Sequence, residues 1–238
     1  MPSLFRRRQI WLPTWWGTLL LIAFAAAAAV IALRQLGSFL APTDPAIGRD
    51  GRGASTLIVE GWLDEDGLDD AIAVVARGRY ERVVTSGSPI ESWREGQPWP
   101  TYAERAADYL RRHGVNRIPV VPVPAPRSAQ DRTFLSAVVV RDWLRQQGSA
   151  VDAVDLFSGG VHARRSWLVY RIAFGPEVEV GVFAARPRRY PLERWWATSD
   201  GAKSVLDEAI GLAWTKCCFW PPAPGSHEER WAVPKSPA

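Results

Sequence analysis

The chain has 238 residues, of which 47% are hydrophobic and 23% are charged, and its formal net charge is +4. This length suits one domain of ordinary size with a short appendage. The small net charge, and the lack of RNA-binding aromatic motifs or zinc-finger spacings, argue against a nucleic-acid partner. Cys217 and Cys218 are the chain's two cysteines, and they are adjacent. That spacing excludes a long-range disulfide framework and a cysteine metal site, and we expect both side chains to be buried.

The first predicted element is a transmembrane helix over residues 10–33. The run from Ile10 to Leu33 has no charged residue and exceeds the roughly 20 residues that cross a hydrocarbon core. Arg6 to Arg8 precede it, so residues 1–9 are predicted to be cytoplasmic and the rest of the chain periplasmic, with the inner membrane around the helix. A cleaved signal peptide is the alternative, but the apolar run is longer than the roughly 7–15 apolar residues of a signal peptide.

Strands and helices alternate after a linker that is predicted over residues 34–54 from its content of Gly, Pro, Asp and Arg. The predicted strands cover residues 56–59, 82–85, 118–123, 151–157 and 178–183. The predicted helices cover residues 66–77 and 102–113, a stretch ending near 147, a stretch beginning at 162 or 163, and residues 202–219. Prolines in the third strand remove ladder donors, so this strand is predicted to be irregular or near an edge. Residues 221–238, rich in proline and polar residues, are predicted to be a disordered tail.

This alternation predicts an α/β domain over residues 55–220, with three layers, a mainly parallel sheet and helices on both faces. In open sheets of this kind, ligands bind beyond the carboxyl ends of the strands. The order of the strands stays open, but four segments should meet at that edge. Their candidate ligand-binding residues are Gly61, Ser86, Gly87, Arg132, Thr133, Gly159, Gly160, Arg164, Arg165 and Ser166.

The segment after the fourth strand is the best candidate for an anion site. A turn of Ser158, Gly159 and Gly160 leads into a helix, and such a turn presents backbone N–H groups at the positive end of the helix dipole. Its first turn carries His162, Arg164 and Arg165, and each cation there opposes the dipole by roughly 0.3–1 kcal/mol. A bound anion would relieve this repulsion, and we predict one. The alternative is that the arginines lie on a solvated face and that His162 is an ordinary loop residue.

The candidates for acid-base catalysis are His162, Glu60 and Glu104. Glu60 ends a buried strand, where a carboxylate needs a partner, so a structural ion pair with Arg132 or Arg165 is the alternative to a catalytic role. Glu104 follows Thr101 at the spacing of a helix capping box, and the cap is the competing interpretation.

Two further acids have structural interpretations in the sequence. Asp131 follows Ser128 at the same spacing as Glu104 follows Thr101, which predicts a helix cap. Glu208 flanks the apolar stripe of the last helix and is predicted to be solvated. The chain has no Gly-x-Ser-x-Gly turn, phosphate-binding Walker loop, dinucleotide glycine fingerprint or His-Glu-x-x-His pair. Metal ligands are few, so no metal site is predicted, and the sequence leaves the cofactor unknown.

Five short motifs share their order and spacing with a known family. They are Ile58 to Trp62, Thr85 to Gly87, Tyr102 to Glu104, Asp131 to Thr133, and Gly160 to Ser166. In this order the chain resembles the YdcF/SanA/ElyC family over residues 56–220, with Trp195, Trp196 and residues 199–208 similar to its closing region. The resemblance implies a Rossmann-like domain, often membrane-anchored, with links to the bacterial cell envelope and to peptidoglycan or lipid-carrier metabolism. For one branch it also implies binding of S-adenosylmethionine.

Together these features predict a cell-envelope protein that binds a phosphate- or pyrophosphate-bearing metabolite, with isoprenoid-linked compounds and lipid carriers among the candidates. If it is an enzyme, a phosphoester or pyrophosphate hydrolase or transferase is expected. Two alternatives remain. One is a non-catalytic scaffold for envelope proteins that uses exposed aromatics, namely Trp93, Trp99, Trp195 and Trp196. The other is a binder of a nucleotide-like cofactor such as S-adenosylmethionine.

Overall fold

The structure, a computed structural model, describes residues 12–128, 131–148 and 151–230. Helix α1 (Trp15–Leu40) opens it, and the side chain of Thr14 caps this helix by accepting a hydrogen bond from the backbone N–H of Gly17 at 3.2 Å. By length and composition α1 is able to cross a membrane. It begins at Trp15, five residues after the predicted start of the span. Pro13, two residues before Trp15, has no backbone N–H for a helical hydrogen bond. Residues 1–9 lie outside the described part of the chain.

A six-stranded sheet forms the centre of the domain. Its strands are β1 (Thr43–Asp44), β2 (Thr56–Glu60), β3 (Arg82–Gly87), β4 (Val120–Pro124), β5 (Ala153–Ser158) and β6 (Glu179–Ala184). The order across the sheet is β1-β6-β5-β2-β3-β4, and all neighbours are parallel except β1 and β6. The sheet is therefore mainly parallel, as predicted. The chain first builds β2, β3 and β4 outward in one direction and then returns to place β5 and β6 on the other side of β2.

Helices cover both faces of this sheet, which confirms the three-layer prediction. They are α2 (Glu65–Arg77) and α3 (Tyr102–Arg112) on one face, and α4 (Arg132–Gln146) and α5 (Ala163–Phe174) on the other. A further helix, α6 (Ser199–Cys217), packs against α5 and α1. Side chains alternate along the central strand β2: Leu57 and Val59 pack with α2 and α3, while Ile58 packs with α4 and α5. This period of two, with all of β2 buried, is what a strand covered on both faces requires.

The proline-bearing strand β4 lies at one edge of the sheet, where Pro122 and Pro124 do not interrupt a further ladder. The opposite edge corrects the prediction of a linker over residues 34–54. There α1 continues to Leu40, β1 pairs with β6, and the N–H of Ala46 donates to the buried carboxylate of Asp155 at 2.7 Å. Glycine and proline frequency does not reveal such long-range pairing.

Helix α6 joins α1 to the domain. Its Val205 and Leu212 form one buried cluster with Leu40, Val161 and Trp195. Trp195 was predicted to be an exposed aromatic, but it is only 3% exposed, because it packs in this cluster.

The end of the described chain is ordered by a buried ion pair. Arg141 is 2% exposed, and its guanidinium donates to the carboxylate of Glu229 at 2.7 Å and to the carbonyl of Ala173 at 2.8 Å. The predicted disordered tail is therefore wrong for residues 221–230, while 231–238 lie outside the described residues. Cys217 and Cys218, predicted to be buried, are exposed and joined by a disulfide.

Candidate functional site

A cavity of about 990 Å³ opens at the carboxyl ends of the strands. It is centred where β2 lies between β3 and β5, which is the point at which the winding of the sheet reverses. Connections leave neighbouring strands in opposite directions at such a point, so they open a crevice between them. Each of the four predicted segments contributes to the lining, through Glu60, Ser86 with Gly87, residues 131–133 and residues 159–162 with Arg165.

Glu60 forms the floor of this cavity and is 3% exposed. The hydroxyl of Ser166 donates to Glu60 Oε1 at 2.9 Å, and the hydroxyl of Ser158 donates to Glu60 Oε2. Two serine hydroxyls, rather than a direct ion pair with Arg132 or Arg165, thus hold this carboxylate. Ser166 lies beneath the cavity lining, so its role in the structure is to position Glu60.

Ser86, also a predicted ligand-binding residue, is the neighbour of Glu60 on β3 and makes a separate buried hydrogen bond. Its hydroxyl lies 3.0 Å from the hydroxyl of Tyr170, which is fully buried. Burial, together with the nearby charge of Glu60, raises the pKa of Tyr170, so this tyrosine stays neutral and serves as a hydrogen-bonding group. The floor of the cavity is therefore a buried polar layer, made from the ends of β2, β3 and β5 and one face of α5, with two separate hydrogen-bonded groups.

His162, Arg165 and Glu208 form a cluster on the cavity wall. His162 Nδ1 lies 2.8 Å from Glu208 Oε1, and Arg165 donates to the same carboxylate from Nε at 2.7 Å and from Nη2 at 3.1 Å. Burial opposes ionisation of Glu208, but hydrogen bonds from His162 and Arg165 outweigh it and lower the pKa of this carboxyl to about 2. Glu208 is thus an anion across the physiological pH range.

This geometry sets the chemistry available to the imidazole. Nδ1 has two partners that require opposite tautomers: an Nδ1–H donates to Glu208 Oε1 at 2.8 Å, whereas an Nδ1 lone pair accepts from Arg165 Nη2 at 2.9 Å. In the tautomer with its hydrogen on Nδ1, the basic lone pair is on Nε2. The edge of the His162 ring meets the ring of Trp62, with centroids 5.2 Å apart. Glu208 orients the imidazole from one side and Trp62 packs on another, an arrangement suited to a general base.

The sequence interpretation of Glu208 as a solvated residue is wrong, since its side chain is only 18% exposed. Glu208 flanks the apolar stripe of α6, and exposure was predicted because only the stripe itself was expected to face the domain. In fact Arg165 of α5 reaches across to α6, and Gly211 allows this, because a Cβ there would lie 3.0 Å from Arg165 Nε. Only the packing of α5 against α6 identifies Glu208 as part of the site.

Two glycines near the cavity are required by the backbone, but Gly61, a predicted ligand-binding residue, is not part of the cavity lining. A Cβ on Gly61 would lie 2.4 Å from the carbonyl oxygen of Tyr102, so no larger residue fits between β2 and α3. Gly160 has φ +38°, in the region that favours glycine, and it begins a single 3-10 turn, Gly160–His162, that leads into α5. Gly87 and Gly159 line the cavity as predicted.

Four further arginines line the cavity: Arg132, Arg186, Arg188 and Arg189. The last three follow β6, and the sequence analysis did not assign them to the site, because the position of β6 beside β5 was unknown. The partners of three of the four are acids outside the cavity lining: Arg132 with Glu91 at 3.2 Å, Arg188 with Asp70 at 2.9 Å and Arg189 with Asp200 at 2.7 Å. Within the described residues, Arg186 is in no salt bridge.

Asp131 begins α4 in a left-handed conformation, with φ 41°, and makes no side-chain capping bond. The predicted cap at this position is therefore wrong. Its carboxyl lines the cavity next to Arg132 and Thr133, and burial raises its pKa. A non-glycine residue in this conformation is uncommon, and such strain is concentrated at functional positions.

Two predicted site residues lie elsewhere. Arg164 turns away from the cavity toward α1, donates to the carbonyl of Phe39 and lies over the Phe39 ring at 4.0 Å. Glu104 accepts hydrogen bonds from the backbone N–H of Thr101 at 3.1 Å and from its hydroxyl at 2.7 Å, which completes a capping box. Glu104 is outside the cavity lining, so the competing cap interpretation is confirmed.

The described residues contain no group of three or more His, Cys, Asp or Glu side chains arranged to hold a metal ion. The cavity instead combines guanidinium groups, backbone turns, one imidazole and carboxylates. A scan against protein-family models found no match to this chain, and a search of curated proteins found none either.

Proposed function

We propose that the cavity binds a phosphate- or pyrophosphate-bearing metabolite. The observation that carries this proposal is the convergence of three helix starts and five arginines on one cavity. The N-terminal ends of α2, α4 and α5 all contribute to the lining, through Asp64 with Gly67, Arg132 with Thr133, and His162 with Arg165. Each end is the positive end of a helix dipole. Arginine adds planar, charged donors that match phosphate oxygens.

Five acids also line the cavity: Glu60, Asp64, Asp131, Asp207 and Glu208. Three of them already have partners in the protein, which leaves Asp131 and Asp207 against the four arginines other than Arg165. Glu208 is neutralised by Arg165, the Asp64 carboxylate caps α2 by accepting from Gly67 N–H at 2.9 Å, and the two serine hydroxyls occupy Glu60. Three of the cavity arginines are exposed groups whose ion pairs contribute little, about 0–1 kcal/mol each. An incoming phosphate therefore has to displace only weakly bound carboxylates from these three guanidinium groups.

We further propose that the domain is anchored in the inner membrane by α1 and lies in the periplasm, as a member of the YdcF/SanA/ElyC family. Support comes from the apolar length of α1 and from the arginines at positions 6–8. The disulfide between Cys217 and Cys218 is consistent with an oxidising compartment. On this proposal the ligand is a metabolite of the envelope, and the role is in envelope or peptidoglycan biogenesis.

If chemistry follows binding, hydrolysis or transfer of a phosphoryl group fits the cluster. Nε2 of His162 would remove the proton from an attacking water or hydroxyl, whose oxygen forms the new bond to phosphorus. The bond from phosphorus to the leaving oxygen breaks, and Asp131, when protonated, would donate the proton that this oxygen needs. The arginines would stabilise the charge on the phosphoryl oxygens.

The test is thermal unfolding of the full-length protein in detergent with phosphate, pyrophosphate, a short isoprenyl phosphate or S-adenosylmethionine. Pyrophosphate at about a hundredfold over its dissociation constant stabilises a folded protein by roughly 2.7 kcal/mol. We expect pyrophosphate to raise the unfolding midpoint of the wild-type protein and Arg186→Ala to lose most of that rise. Arg145→Ala removes an exposed arginine at the far end of α4 and is the matched control.

An equal rise in Arg186→Ala and Arg145→Ala would show that the cavity is not the binding site. A rise with S-adenosylmethionine alone would replace the phosphate proposal with a cofactor site at the same strand ends. No rise with any of the four ligands would refute the proposal and favour a scaffold role.

A further inference from the structure

The outer face of α6 carries a row of exposed apolar side chains. Leu206, Ile210 and Trp214 recur every four residues, so they lie on one side of the helix, and they are 47%, 69% and 48% exposed. Trp220, just beyond the helix, is 84% exposed. We call these four residues the α6 stripe. Monomeric soluble proteins rarely leave a continuous apolar patch of this kind without a partner.

The position of the domain along α1 indicates what that partner is. From Trp15 to Leu33 the helix rises about 28 Å at ~1.5 Å per residue, close to the ~30 Å of a hydrocarbon core. The indole N–H of Trp195 donates to the carbonyl of Leu33 at 3.1 Å. The domain thus contacts α1 at the level where a membrane span of this length ends, with exposed Trp196 beside the contact.

The junction between α1 and the domain fixes their relative orientation. Helix α1 continues without a break to Leu40, which is fully buried against Val205 and Leu212 of α6. Gly37 permits the close approach, since a Cβ there would lie 2.6 Å from the carbonyl oxygen of Leu192. Because α6 packs directly on the end of α1, its surface is held near the membrane boundary.

We propose that the α6 stripe docks on the same bilayer that α1 spans, with Ile210 and Trp214 inserted at the lipid interface. Tryptophan is favoured at this depth because its ring is apolar and its N–H is polar. A lipid surface matches the chemistry of the stripe, which has aliphatic and indole groups in a single row. It also matches the packing of α6 against the end of α1 through Val205 and Leu212, which keeps this helix next to the membrane span.

Docking in this way places the cavity mouth at the membrane surface. Trp214 belongs both to the stripe and to the cavity lining, and Phe219 next to it lines the cavity as well. The assignment of the ligand rests on the proposed phosphate-binding function. The ligand is then a lipid-linked phosphate, whose phosphate lies among the arginines while its hydrocarbon chain stays in the bilayer.

The experiment uses the full-length protein in nanodiscs of phosphatidylethanolamine and phosphatidylglycerol, with the photo-crosslinking residue benzoylphenylalanine at position 210. The control carries it at position 76, an exposed alanine of α2 in the opposite helix layer. We expect phospholipid adducts by mass spectrometry at position 210 and none above background at position 76. The proposal would be overturned if position 210 gave no lipid adducts or if both positions gave equal amounts. It would also be overturned if, with the protein in liposomes, position 210 crosslinked to a second copy of the chain instead of to lipid.

The pyrophosphate titration separates this proposal from the function of the cavity. Ile210 does not line the cavity, so Ile210→Glu is expected to keep the rise in unfolding midpoint with pyrophosphate in detergent. The same variant is expected to lose the response to an isoprenyl phosphate presented in a nanodisc. If Ile210→Glu loses the pyrophosphate response as well, the assignment of the stripe to the bilayer is contradicted. If Ile210→Glu keeps both responses, the docking is contradicted.

Discussion

Replacement of Glu208 by glutamine tests the cluster on the cavity wall. The change removes the charge that holds Arg165 and His162 while keeping the shape of the side chain. The cluster lowers the Glu208 pKa from its ordinary value of 4.5 to about 2. At ~1.36 kcal/mol for each pH unit, the ionised carboxylate contributes about 3 kcal/mol to the free energy of unfolding.

The pH dependence follows from the direction of this change. A carboxyl whose pKa is lower in the folded state contributes its full stability above the unfolded pKa of 4.5, and that stability is lost as pH falls toward about 2. The difference between wild-type and variant is therefore expected to shrink as pH falls below 4.5. In a chain of this size, about 3 kcal/mol lowers the unfolding midpoint by roughly 6–12 °C.

The assay is thermal unfolding of the full-length protein in detergent, followed by tryptophan fluorescence at pH 3 to 7. Asp207→Asn is the matched control, because it makes the same change one residue away at an exposed position. We expect this control to shift the midpoint by less than about 2 °C, as surface substitutions do. Equal midpoints for the two variants, or a Glu208→Gln effect that stays constant down to pH 3, would refute the cluster as described.

Two further substitutions test the framework of the site by the same unfolding measurement. Gly61→Ala places a Cβ against the carbonyl of Tyr102 and should lower the free energy of unfolding by about 1–3 kcal/mol. A Cβ at Gly53 meets nothing within 4 Å, so Gly53→Ala should be near neutral. Similar losses of stability in the two variants would contradict the close approach at Gly61. Glu229→Ala leaves the buried Arg141 guanidinium without its main partner and should cost roughly 3–5 kcal/mol. An unchanged midpoint would show that the chain end does not pack as described.

The α/β class and its elements were accessible from local patterns. Short, mostly apolar runs such as residues 57–59 and 153–157, the latter interrupted by Asp155, are typical of buried parallel strands. Glycine or serine after them marks the turns. The capping box of Thr101 and Glu104 was also accessible, because it depends on two residues three positions apart. The linker and tail predictions failed because composition does not report long-range partners such as Asp155 for Ala46.

The sequence by itself determined which segments end at the ligand edge, because parallel strands present their carboxyl ends on one side whatever their order. It also identified His162 and Arg165 within one of those segments. Only the tertiary structure decided that β2 lies between β3 and β5, so that Ser158 reaches Glu60. The same packing of distant helices turned Glu208 inward and Arg164 outward. A side chain's direction depends on what its helix packs against, and that contact is not encoded in the local pattern.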